Sequence, residues 1–474
     1  MTNPADFEER LRQVYPGVLV NKSYTLRQEL RRLPRLVAEW VVDRFCRDGV
    51  TPDRVAEMDQ FVREHYPEPR ERQSVLSKIM EQGSFALIDC FRVETDLVNK
   101  RYKLQVPSLD IRNGRIIDMI VLENERLLVD GVWAVGVLQY LAEEGTILLT
   151  KLAPLGVSSL DLDAYREGRS KFTATEWMDL IINTFGLNPD SYAVGDDPER
   201  TKLILLSRAV PLVESNINLV ELGPKGTGKT TFHREISYHS RIISGGSVTP
   251  ATLFYNLSAK RDGLLVIYDS VVFDELPTLD LTGGGEILGK LKDFMESGRF
   301  DRGPKQARSE CSLVFAGNLE MVEGRPADRF FFQSFSERFR DSAFFDRLHG
   351  CIPGWELPKI QAAGVHLSTS LGFAADYFCE ILHELRRIDF QQLVKQRISI
   401  DGSHVTIRDE RSVLKLVSGL AKLVFPDGRI DERLFAKMVR LAEEYRRLVI
   451  TQLAEKDPGE FAGKSIRVSL KLGI

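Results

Sequence analysis

The chain has 474 residues, 64 Lys and Arg against 68 Asp and Glu, a formal net charge of -4 and 43% hydrophobic residues. At roughly 100 to 200 residues per domain, that length supports two to four folded units and excludes a single compact core. The charge balance argues against wholesale coating of nucleic acid but leaves room for a local basic channel.

Five cysteines (Cys46, Cys90, Cys311, Cys351 and Cys379) stand far apart with no CxxC pair. They fit reduced thiols better than a disulfide framework or a zinc site. The N-terminus lacks the basic and apolar regions of a signal peptide, and no run of about 18 apolar residues occurs, so a cytoplasmic protein with no membrane partner is expected.

Residues 1–82 are expected to be helical. From Leu26 to Val50 the apolar positions Leu30, Leu33, Val37, Trp40, Val41 and Phe45 recur at helical spacing, with Pro34 as a break or start. Residues 83–160 are expected to form a small β domain, with strands FALIDCFRV, RYKLQV, IIDMIVL, LLVDGVWAVGVLQYL and TILLTKL divided by turns at Asn113-Gly114 and Asp130-Gly131. An OB-like barrel is one candidate for it. Thr173 and Glu176 have the spacing of a capping box opening a helix. Residues 161–364 then alternate helix and strand, as an α/β core does. Residues 365–474 read as helices over Phe373–Leu385, Arg411–Phe425 and Asp431–Leu453, which would serve as a lid.

The chemistry-bearing string is ELGPKGTGKTTF, where Gly223, Gly228, Lys229 and Thr230 match GxxxxGK[ST] between a strand at Ile217–Leu222 and a helix from Lys229. Backbone NH groups of the loop, with Gly226 and Thr231 in it, would cradle phosphates; Lys229 would reach the β and γ phosphates of ATP, and Thr230 would offer its hydroxyl to Mg2+. Leu264–Ile267 and Val271–Phe273 read as strands leading into Asp274-Glu275, where Asp274 would hold Mg2+ and Glu275 would polarise the attacking water. A third strand, Ser312–Asn318, ends on an amide placed to orient that water. Among the arginines that follow, Arg347 is the first choice to reach a neighbouring subunit's γ phosphate, with Arg340 and Arg338 as alternatives.

The order of glycine loop, DE strand, Asn strand, arginine and helical lid resembles an AAA+ ATPase. The strings GPKGTGKTTFHREIS, SGGSVTPATLFYN, VVFDE, DFMESGRFDRG, SLVFAGN and FFDRLHGCIPGWELPK resemble, more specifically, the BrxL family of Lon-like ATPases from BREX phage-defence systems, from Leu26 through Leu453. A more distant similarity is to the MCM replicative helicases.

The resemblance implies an α/β fold with an AAA+ P-loop core and a helical lid, behind the helical segment and the small β domain. It implies Lys229 and Thr230 as Walker A, Asp274 and Glu275 as Walker B, Asn318 as first sensor, Arg347 as finger and Arg408 as second sensor, with Arg411 as the alternative. It also implies a homo-hexameric ring, with stacked rings left open, that turns over ATP, binds double-stranded DNA without sequence preference and works beside other BREX proteins. Longer family members continue into a Lon-like protease domain with a serine and lysine pair. In this chain Val424–Gly428 (VFPDG) has no nucleophilic serine after it, so no protease activity is expected.

Between the DE and Asn strands lies FMESGRFDRGPKQARSEC. If Gly303-Pro304 caps a hairpin, Arg302, Lys305 and Arg308 cluster near its tip and would line a pore with positive charge. Two other readings stay open: an ATP-driven unfoldase of Lon-like ancestry, and a nucleotide-switched DNA clamp without motor activity.

Overall fold

The computed structural model describes residues 4–47, 49–129, 131–156, 160–258, 260–282, 285–303, 305–361 and 364–471. It divides into two compact units, one of residues 20–159 and one of residues 1–19 with 160–474. The segment 1–82, expected as one helical region, is thus shared between the units. The segment 365–474, expected as a lid, lies within the larger unit.

In the smaller unit, helices α1 (Arg35–Cys46), α2 (Pro52–His65) and α3 (Arg72–Gln82) precede five strands, β1 (Ser84–Asp96), β2 (Arg101–Val106), β3 (Ile111–Ile116), β4 (Val132–Leu141) and β5 (Thr146–Pro154). Pro34 stands immediately before α1 as its N-cap. The strands close into a barrel in the order β1-β2-β3-β5-β4, with β3 and β5 parallel. Phe91, Leu104, Leu138 and Leu149 are fully buried in its core. Gly136 is required there, because a Cβ would fall 2.3 Å from the Phe91 ring.

Two expectations fail in this unit. IIDMIVL is not a strand: after Ile116 the chain turns into helix α4 (Asp118–Glu123), where only Ile120 and Val121 face the core. Asn113-Gly114 is not a turn but part of β3, where a side chain on Gly114 would sit 3.1 Å from the Ile147 carbonyl oxygen of the neighbouring strand. The apolar content of the first segment was real, but it follows a helical period too short to distinguish from a strand. Asp130 lies outside the described residues.

The larger unit is built on a five-stranded parallel sheet. Its strands are β6 (Asn218–Gly223), β7 (Ser240–Val248), β8 (Ser270–Leu281), β11 (Ser312–Asn318) and β12 (Gly350–Pro353), in the order β12-β6-β11-β8-β7. Every residue of β6 is buried, as expected of a central parallel strand.

Alternate residues face two cores. Leu219 and Ile352 join Trp177, Leu205, Leu416, Leu420 and Tyr445 on one side. Phe273 and Phe315, stacked at 5.1 Å, join a phenylalanine cluster from residues 331–345 on the other. The first core holds helices α5 (Ala174–Thr184), α6 (Pro198–Ser207), α11 (Ile407–Val424) and α12 (Glu432–Lys456). The C-terminal helices therefore belong to the sheet's own core.

The expected capping box is present, with Thr173 Oγ1 accepting from the Glu176 N–H while Glu176 accepts from the Thr173 N–H. The remaining elements that frame the site are α7 (Lys229–Glu235), α9 (Gly285–Ser297), the antiparallel pair β9 (Arg299–Arg302) and β10 (Lys305–Arg308), and α10 (Ala375–Leu385). Leu264–Ile267, expected as a strand, is the short helix α8.

Candidate nucleotide site

The glycine loop leaves the carboxyl end of β6 and turns into α7. Gly223 must lack a side chain because a Cβ would lie 2.5 Å from the Gly354 carbonyl carbon, so the ends of β6 and β12 meet backbone to backbone. Gly226 (φ +88) and Gly228 (φ +78) hold the left-handed turn that L side chains rarely adopt. Ile360 donates its N–H to the Gly226 carbonyl at 2.8 Å and lies over Gly228.

Lys229 is buried, and its Nζ donates to the Gly223 and Pro224 carbonyls at 3.1 and 2.9 Å. Burial pushes its pKa down. Thr230 Oγ1 donates to Asp274 Oδ2 at 2.5 Å, which joins the two residues expected to hold Mg2+. Thr231 lies on the exposed side of α7.

Asp274-Glu275 does not end its strand, contrary to expectation. β8 runs on to Leu281, with its pairing to β7 interrupted between Asp274 and Leu279. Glu275 sits at that irregularity with φ +57, a conformation costing on the order of 1 to 3 kcal/mol for a residue with a side chain. Its carboxylate passes 2.9 Å from where a Cβ on Gly245 would be, so glycine there makes room for it. The strained backbone throws the Glu275 carboxylate out of the sheet while Asp274 stays buried and accepts the Glu275 N–H at 2.9 Å. Asn318 is the exposed last residue of β11, paired in register with Gly223. Thr230 and Asp274 are thus in direct contact beside Lys229, and Asn318 ends the strand that lies between β6 and β8.

Sequence reading missed the buttress under this loop. Arg208 and Glu221 are both fully buried; the guanidinium reaches the carboxylate through Nε at 3.0 and 3.1 Å and through Nη2 at 2.6 Å, and Nη1 donates to the Thr227 carbonyl at 3.0 Å. One side chain thereby ties β6 to the loop that follows it. Its sequence signal is a glutamate between the apolar residues of a buried strand. His233 on α7 is also buried; desolvation lowers its pKa to about 4.

The arginines separate into two groups. Arg338 pairs with Asp280 at 2.6 Å and Arg340 donates to the Phe335 and Gln333 carbonyls, so both serve local packing. Arg347, Arg408 and Arg411 instead converge on one carboxylate, Glu296, at 3.6, 2.8 and 3.3 Å. Burial works against the Arg408 charge, but hydrogen bonds to Asp346 and Glu296 outweigh it and raise its pKa.

This cluster is at the wrong end of the sheet to serve its own loop. The Arg347 carbonyl accepts from Asn218 Nδ2 at 3.2 Å, at the start of β6, whereas the loop begins at Gly223. Five residues of strand put the two about 17 Å apart.

The basic hairpin is present as β9 and β10, with Arg302 opposite Lys305 and Gly303 at φ +58; Pro304 lies outside the described residues. Lys305 is not a free charge, since it pairs with Asp262 at 3.0 Å and lies 5.5 Å from the Tyr255 ring centre. Those contacts bring in a second hairpin, Tyr255–Asn256 with Arg261–Asp262, which carries Lys260 and Arg261 and which sequence reading missed. Its two-residue strands are too short to leave a periodic signal.

Fold and site together define an ATPase domain of the α/β nucleotide-binding class: residues 147–467 match a family model described as "Lon-like protease BrxL-like, ATPase domain". Residues 13–140 match a second, "BREX system Lon protease-like protein BrxL N-terminal". The chain belongs to the BrxL family. It is 32% identical over 467 residues to the Lon-like protease BrxL of Escherichia coli O9:H4 (strain HS), and 34% identical over 474 residues to that of Bacillus cereus (strain H3081.97). Each alignment covers 96% of this chain but only 66% and 68% of the relative, so the chain spans about two-thirds of their length. Among the described residues no helix is long and apolar enough to cross a membrane.

Two outcomes test the buttress and the helix behind the loop. Arg208→Met strands the Glu221 carboxylate in the core and should cost about 3 to 5 kcal/mol in urea unfolding, with weakened nucleotide binding; adding Glu221→Gln should recover much of the stability. For His233 the folded pKa of about 4 lies below the ordinary 6.5, so the unfolded chain takes up the proton first as pH falls. Stability should therefore drop by about 3 kcal/mol between pH 6.5 and pH 4 on this account, and His233→Asn should flatten that limb of the unfolding profile.

Proposed function

We propose that the chain is a ring-forming AAA+ ATPase that hydrolyses ATP at subunit boundaries and acts on double-stranded DNA in BREX-type defence against phage. The observation that carries this reading is the distance between the glycine loop and the arginine cluster. The Arg347 main chain meets the start of β6, about 17 Å along that strand from its own phosphate loop, and Arg408 shares Glu296 with it, so an arginine side chain of roughly 7 Å would meet a γ phosphate on a neighbouring copy.

The strand order supports the assignment. In order of appearance the sheet reads 5-1-4-3-2, with the glycine-loop strand beside the Asn strand and the DE strand third. In the smaller unit, the barrel order 1-2-3-5-4 with a helix between the third and fourth strands supports an OB-type barrel.

On this reading the loop amides and Lys229 bind the phosphates, and Thr230 with Asp274 holds Mg2+, which neutralises charge on the β and γ oxygens when bound. Glu275, held out of the strand by its left-handed backbone, polarises the attacking water, and Asn318 orients that water from the adjacent strand end. Arg347 and Arg408 of the next subunit meet the charge that develops on the transferred phosphoryl group, an effect worth on the order of 10³ to 10⁵ in rate. The paired hairpins, carrying Lys260, Arg261, Arg302, Lys305 and Arg308, supply phosphate contacts that are indifferent to base sequence.

Mixing decides the subunit arrangement. Lys229→Ala and Arg347→Ala should each be inactive alone, and an equal mixture should regain part of the ATPase rate, because a boundary can then combine an intact loop with an intact finger; electron microscopy should show rings. A mixture as dead as its components sinks the reading. For the hairpin, Arg302→Ala with Lys305→Ala should weaken duplex binding and lower the log-log salt slope by about 1 to 2.

A further inference from the structure

The convergence of three arginines on Glu296 leaves the cluster with excess positive charge and one unspent donor. Arg347 Nη1 donates to the Ala343 carbonyl at 2.6 Å, but its buried Nε has no hydrogen-bond partner among the described residues, and the 3.6 Å approach to Glu296 is too long to be a hydrogen bond. Arg408 is held from two sides, by Glu296 at 2.8 Å and by Asp346 at 2.6 Å. Asp346 is anchored in turn by the fully buried Arg446 at 2.8 Å, so that half of the cluster is fixed to the core. Glu296 is the member on a different element, the last turn of α9, and it is one-third exposed.

That placement has a mechanical consequence. Glu296 is followed by Ser297, then Gly298 (φ +68), then β9, the first strand of the basic hairpin. The hairpin base is closed by the Ser309 N–H donating to the Gly298 carbonyl at 2.8 Å, and Gly298 donates back into α9 at the Phe294 carbonyl at 2.8 Å. A side chain on Gly298 would fall 2.8 Å from the Ser309 carbonyl oxygen, so this junction has no slack. The end of α9 and the hairpin are therefore joined with no intervening loop, so a pull on the hairpin base bears on Glu296.

We infer that Glu296 is a latch: it holds Arg347, Arg408 and Arg411 in the resting state and gives them up to the neighbour's triphosphate when DNA draws on the hairpin, which couples DNA occupancy to turnover. The inference rests on the ring reading above. Glu296 touches neither nucleotide nor DNA and acts as a positioning residue. A carboxylate with one negative charge is the weaker partner in competition with a γ phosphate, so the exchange is downhill once the hairpin loosens it.

The test measures ATPase rate with and without a linear DNA duplex for wild type, Glu296→Gln, Glu296→Asp and Arg347→Ala, with thermal unfolding to show that each is folded. Glu296→Gln should raise the DNA-free kcat about fivefold and bring the ratio of DNA-stimulated to DNA-free kcat towards one, while Glu296→Asp restores most of the ratio. A merely structural carboxylate would lower both rates together and leave their ratio alone. An unchanged ratio, or a DNA-free rate that falls in Glu296→Gln, overturns the latch while leaving the ring reading intact. A wild-type rate indifferent to DNA also overturns the latch alone, whereas full activity in Arg347→Ala removes the ring reading and the latch with it.

Discussion

The site depends on a charge pair that never meets solvent. Arg208 and Glu221 lie inside the fold, one on the segment after α6 and the other in the middle of β6, and the guanidinium's remaining nitrogen, Nη1, donates to the Thr227 carbonyl. Burying such a pair gains little stability over a well-packed apolar alternative, because desolvation offsets most of the Coulomb attraction. What it supplies is position: a planar fork fixes the strand and the loop to one another in a way that methyl groups cannot. Lys229, the left-handed glycines and the start of α7 are all placed relative to that fork.

Strain is used on the opposite side of the pocket. Asp274 and Glu275 are adjacent in sequence and would point to opposite faces of an undisturbed strand. The left-handed turn at Glu275 sends one acid into the sheet against Thr230 and the other outward past Gly245. The unfavourable dihedral at Glu275 is held in place by the pairing of β8 with β11 before it and β7 after it.

The parts legible in sequence were those with long apolar runs or fixed spacings. The glycine loop between strand and helix, the Asn318 strand, the Thr173 cap and the long C-terminal helices all followed from period and punctuation. The misreadings cluster in short segments: Leu264–Ile267 and Asp118–Glu123 are apolar stretches of one helical turn or little more, which no periodicity separates from a strand. Arg208 with Glu221, and the gathering of Arg347, Arg408 and Arg411, were not readable for another reason. The first joins residues 13 positions apart, and the second brings Glu296 to arginines 51, 112 and 115 positions away, meetings decided by tertiary packing. The residues were nameable, but their partners were not.

The contact between Gly223 and Gly354 also gives the larger unit a fixed length scale. β6 and β12 are neighbours, their upper ends locked backbone to backbone and their lower ends joined by Asn218 and the Arg347 carbonyl. The loop for one phosphate chain leaves the top of that pair, and the arginine cluster sits at its foot. A parallel sheet stretches very little, so on the ring reading the pair would act as a ruler between the nucleotide a subunit holds and the one it would serve next door. On the ring reading, closing one boundary by an ångström moves the far end of the same sheet by a comparable amount. Neighbouring sites could then not close independently, and turnover would pass around the circle in sequence.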